Sequence, residues 1–104
     1  MQDLRSLNHT EFARCLNQTF TLDPGVPDEV RAIPLVLIEV TEYGSGAAGP
    51  HRRQPFCVLF RGPALPVLPQ RTYVIDHESL GRLELFLVPV GPDGQGMRYE
   101  AVFT

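Results

Sequence analysis

The chain has no lysine: its nine basic residues are all arginine, and against twelve acidic residues they leave a net charge of -3. A nucleic-acid-binding domain needs a basic stripe that displaces counterions from phosphates, so the charge balance argues against that class of partner. The missing lysine reads first as codon preference in a GC-rich genome, which also accounts for the proline content, and second as selection for bidentate contacts. Cysteine is nearly as scarce. Cys15 and Cys57 lie far apart and form no CxxC pair, which leaves no basis for a disulfide scaffold or a thiolate metal site. No apolar run approaches the about 20 residues that span a bilayer. The amino-terminal MQDLRSLNHTEF also lacks the basic and apolar regions of a secretion signal. The expectation is a cytoplasmic chain with no membrane insertion.

Helical patterning is rare as well. Ten prolines and nine glycines in 104 residues, with one segment of helical spacing, point to short strands separated by turns. The 43% hydrophobic content suffices for one core, so residues 1–104 read as a single domain. The organising stretch is QRTYVIDHESLGRLELFLVPV, Gln70 to Val90, two strands joined by a tight turn at Glu78 to Gly81. Tyr73 and Ile75 alternate with Thr72, Val74 and Asp76, and Leu83, Leu85 and Leu87 alternate with Glu84, Phe86 and Val88. That period of two places a full apolar face on each strand.

The helix is expected over Leu7 to Leu16. Asn8 can cap it with Glu11 three residues on, and Leu7 and Phe12 have the spacing of a hydrophobic staple. Phe12, Cys15 and Leu16 would share its buried face, and Asn17 can take the left-handed conformation that ends it. A strand from Gln18 to Leu22 follows, then a turn at Asp23, Pro24 and Gly25. Val30 to Tyr43 is apolar on both faces, which predicts a strand covered on both sides, with Pro34 requiring an edge position or late entry into a ladder. Gly44 to Pro50 reads as a mobile loop. Phe56 to Arg61 is the next strand, Gly62 to Pro69 a proline-stiffened turn, and Met97 to Thr104 a last strand with Tyr99, Ala101 and Phe103 inward. The fold expected is all-β: about six mainly antiparallel strands, sequential neighbours paired, forming a small barrel or sandwich whose open end the helix closes.

Residues able to do chemistry are few and poorly arranged. Asp76, His77 and Glu78 are consecutive, so on a strand they point to opposite faces, and a histidine entering a turn more often bonds local backbone than a metal. His77 with Ser79 has neither a GxSxG elbow nor an orienting carboxylate at useful spacing. Cys57 sits among apolar neighbours that raise a thiol's pKa and blunt it as a nucleophile. His51, Arg52 and Arg53 make a small solvent-facing basic patch. GSGAAG lacks the Lys and Ser or Thr of a phosphate loop. No cofactor and no metal is expected from these residues.

FCVLFRGP, LPQRTYVIDHESLGRLELFLVPVG and the terminal YEAVF, together with FARCLNQTFTL, closely resemble a family of bacterial domains of unknown function of about this length. The QxTYxxxHxxLGxLxLFLVP run carries most of the resemblance, which covers nearly the whole chain. It implies no reaction, and it implies a genomic setting near phage-tail-like fibre or collar proteins. Two function classes follow. One is a structural or adaptor module that self-associates or docks a protein partner through an outer apolar surface, with Val36, Ile38, Phe86 and Val88 as its candidate residues, joined by Leu59 or Val102 depending on register. The other is a small ligand-binding or enzymatic barrel with a pocket near Arg71, Tyr73 and His77. The first is favoured because no set of side chains converges on a reaction.

Overall fold

Alternating burial along six segments produces six strands, and their apolar faces are hidden by curling the sheet until its first and last strands meet. The computed structural model describes residues 7–23, 32–43 and 55–104. A short helix α1 (His9–Ala13) precedes β1 (Thr19–Asp23), β2 (Ile33–Glu42), β3 (Phe56–Gly62), β4 (Arg71–His77), β5 (Gly81–Pro92) and β6 (Met97–Phe103). All pairings are antiparallel, and the strands close into a barrel in the order β1-β2-β3-β6-β5-β4, with β4 returning to β1. The expected basic patch at His51 to Arg53, the loop Gly44 to Pro50 and the turn residues Pro24 and Gly25 lie outside the described residues.

Sequential pairing holds everywhere except between β3 and β4. These two consecutive strands are not neighbours; β3 pairs with β6 and β1 with β4. The link between them carries Pro63, Pro66 and Pro69, and a segment with three fixed φ angles and three missing donors cannot close a tight hairpin. It is instead pinned to the barrel by two tyrosines. The Leu68 N–H donates to the Tyr99 hydroxyl at 2.8 Å, and the Tyr73 hydroxyl donates to the Pro69 carbonyl at 2.6 Å.

The barrel is thus two three-stranded meanders, and exchanging β1-β2-β3 for β4-β5-β6 maps the strand order onto itself. Each middle strand carries one register shift, at Ile38 in β2 and at Val90 in β5. Both shifts flank the same pair, because Leu37 faces Phe60, Pro89 faces Tyr99, and Phe60 faces Tyr99. A single extra residue inverts the side-chain phase of everything after it. Leu35 and Leu37 point inward before the shift, and beyond it Val40, paired with inward Val58, packs on the core while Glu39 faces out. The expectation that β2 is covered on both sides is corrected accordingly: its inward Leu35 and Leu37 are fully buried, whereas Val36 and Ile38 are half-buried on the outer wall. Pro34 sits opposite Thr21, two residues before the β2–β3 ladder begins at Val36, which is the late entry its missing N–H requires.

Aromatic rings fill the end of the barrel beneath α1. Phe12 is fully buried against Phe20, Phe56 and Phe103, with ring centroids 6.5, 5.8 and 5.2 Å away. Phe56 and Phe103 stack at 4.6 Å. The helix therefore closes this mouth, as expected, but it is shorter than Leu7 to Leu16. Asn8 accepts the Glu11 N–H at 3.2 Å and starts it, whereas past Ala13 the chain tightens into turns and Asn17, at φ 68, donates its N–H to the Leu37 carbonyl of β2. Leaving the helix early turns Leu16 outward, at 38% exposure, away from the face that Phe12 and Cys15 share.

Candidate functional site

The β4–β5 turn shows what His77 does. Glu78, Ser79 and Leu80 connect His77 to Gly81, which pair across the turn, and Gly81 takes φ +80, the left-handed conformation a three-residue hairpin needs there. His77 Nδ1 accepts the N–H groups of Ser79 and Leu80 at 3.0 and 3.1 Å, which assigns the ring proton to Nε2 and its donation to Gln18 Oε1 at 2.7 Å. One ring face stacks on Phe20 at 4.3 Å. Burial pushes the imidazole pKa below its ordinary value, against the pull of the neighbouring Glu78 carboxylate. Both nitrogens are engaged in holding the turn to the start of β1.

Arg71 and Tyr73 lie toward the other end of β4. The Arg71 guanidinium rests 5.1 Å from the Tyr73 ring centroid, and burial raises the phenol pKa while that cation opposes the shift. Arg71 and His77 are the two ends of the seven-residue strand β4, so the structure brings the first two candidate pocket residues together and not the third. Cys57 faces the outer wall, half-buried, and its thiol pKa is raised by burial and then by Glu100 and Glu39. Among the described residues no three His, Cys, Asp or Glu side chains gather as a metal site would require.

The four candidate interface residues occupy two walls. Val36 and Ile38 lie on β2, and Phe86 and Val88 on β5, with two strands between them either way around the barrel. They form no single patch. Phe86, 50% exposed, instead neighbours Val102 of β6, 53% exposed, across a cleft of about 380 Å³. Thr72, Glu84, Phe86, Val102 and Thr104 line it, with buried Ala101 beneath. The cleft lies where the β5–β6 ladder stops at Val88–Glu100 although both strands continue past it. β5 ladders with β4 from Gly81 to Leu87 but with β6 only from Val88 onward. The alternation analysis put Phe86 outward on the same face as Glu84, without bringing Thr72 of β4 and Thr104 beside them.

Fold and surface together define a small closed antiparallel barrel with a side-chain-filled interior and, in its outer wall, a cleft of mixed polar and apolar lining. The chain belongs to the family described as domain of unknown function DUF6916, which matches residues 7–103. No curated protein and no solved structure matches it. Among the described residues no helix is long and apolar enough to cross a membrane.

Proposed function

We propose that this chain is a non-enzymatic structural or adaptor module that works through protein–protein contacts, in the cytoplasm or in an assembly built there. The observation that carries the reading is the Phe86–Val102 pair. Two large apolar side chains, each about half exposed, stand together at a cleft while twenty apolar residues among those described fill the interior. Contiguous exposed apolar surface marks contact sites, and aromatic residues are enriched at them. The engagement of both His77 nitrogens supports the same reading, since that side chain has no lone pair or proton left for a ligand. A phage-tail-like or fibre assembly is the setting the family resemblance implies, and tail genes beside this one would support it. The alternative, a ligand-binding barrel using Arg71, Tyr73 and His77, draws no support from residues held at opposite ends of a strand.

The test compares the native chain with Phe86→Asp and Val102→Asp by light scattering and by quantitative capture of proteins from the source cell. Loss of self-association, or of one captured protein, in both variants while circular dichroism melts stay within about 0.5 kcal/mol of native supports the module. Unfolding of Phe86→Asp would mean that Phe86 belongs to the core, and contacts unchanged in both variants would overturn the reading.

A further inference from the structure

We propose that the seam between β5 and β6 accepts an extended strand of a partner protein, laid along β5, in which a basic residue stands two positions from a large apolar one. This deepens the contact-module reading and rests on it. The first argument is the ladder. From Gly81 to Leu87, β5 is paired with β4 on one side, and among the described residues its other side has no ladder with β6 before Val88–Glu100. That stretch of β5 therefore borders the cleft as a strand edge without a ladder on that side. A backbone edge is satisfied most completely by another extended backbone, because only that chemistry repeats N–H and C=O groups at strand spacing.

The second argument is side-chain spacing. Glu84 and Phe86 are two residues apart and project from the same outer face of β5, so an added strand meets them with residues two apart. One of these packs on Phe86 and Val102 and must be apolar; the other meets Glu84. Ion pairs among the described residues join Arg61 to Asp93, Arg82 to Asp76 and His9 to Glu42, and Glu84 is in none of them. Glu100, opposite Val88 where the ladder starts, adds a second carboxylate beside the seam. A basic residue is the complement this lip selects.

The experiment presents the full chain to a displayed library of random twelve-residue peptides and maps one enriched peptide by amide chemical shifts. Enrichment of sequences with a basic residue two positions from a large apolar one, and shifts at 82–87, are expected. Methylating alternate backbone nitrogens of that peptide should weaken binding roughly tenfold, since each blocked N–H removes a ladder bond. Glu84→Gln should weaken it roughly two- to fivefold, the scale of one exposed charge pair. No enrichment, enriched peptides without the spacing, shifts elsewhere or indifference to methylation would overturn the proposal. A concentration-dependent dimer whose shifts fall at the seam would overturn it too, by assigning the edge to a second copy. If the proposal fails while Phe86→Asp and Val102→Asp still lose a captured protein, the contact module stands and only strand addition is wrong; if those variants keep every contact, the broader reading fails as well.

Discussion

At the scale of single residues, His77 couples the turn to the barrel through its neutral form. Its Nδ1 must accept from two backbone N–H groups, and a proton placed there turns an acceptor into a donor facing donors. Its folded pKa lies below the ordinary value because burial disfavours the cation. A depressed pKa means that the unfolded chain binds more protons, so the stability His77 contributes is present above pH about 6.5 and is lost as pH falls below it toward the folded pKa. Melting temperatures from pH 8 to pH 5 should therefore drop more steeply for the native chain than for His77→Gln, whose starting stability is lower. Parallel curves would show that His77 does not report the loss. The role was half legible in sequence. A histidine entering a turn predicted backbone capping, but Gln18, fifty-nine positions away, is a partner that only the β1–β4 pairing supplies.

At the scale of elements, α1 is five residues long and could not hold together in water by itself. It exists because Phe12 enters the ring cluster of Phe20, Phe56 and Phe103. Truncating that ring leaves a hole among neighbours already committed to strands, so Phe12→Ala should cost about 3–5 kcal/mol. Leu16→Ala, one turn on, should cost under about 1 kcal/mol because the leucine stands in solvent. Denaturant titration of the two variants checks the contrast, and similar losses would mean that the helix continues to Leu16 with the face expected from its spacing. That spacing located the cap and the staple residues correctly. It overran the helix end because the bond from Asn17 to the Leu37 carbonyl, a contact with β2, competes with another helical turn.

For the whole molecule, the decisive connection is the proline link that carries the chain from β3 to β4 across an end of the barrel. Its inward residue, Leu68, is buried, and its N–H has the Tyr99 hydroxyl as partner. Tyr99→Phe keeps the ring and removes the acceptor, leaving a buried donor unmet at a cost of about 1–3 kcal/mol. Tyr73→Phe removes a donor from the part-buried Pro69 carbonyl, which water can still reach, and should cost less. Thermal unfolding of both should remain a single transition, since the link belongs to the same core; a separate early transition in Tyr99→Phe would show that the link opens independently.

The local chemistry of this chain, by itself, determined the strands and their inward residues. Leu83, Leu85 and Leu87, Phe56, Val58 and Phe60, and Tyr99, Ala101 and Phe103 are all buried where alternation placed them, because a strand has one period and its apolar face has one destination. It also determined the Asn8 cap and the left-handed Gly81, which depend on neighbours within three residues. Only the tertiary structure decided that β3 lies beside β6, that the shifts at Ile38 and Val90 reverse the outward faces, and that Phe86 meets Val102 while Val36 and Ile38 stand on another wall. Those outcomes depend on closure. A barrel closes through the summed stagger of all six ladders, and that sum is a property of no single segment.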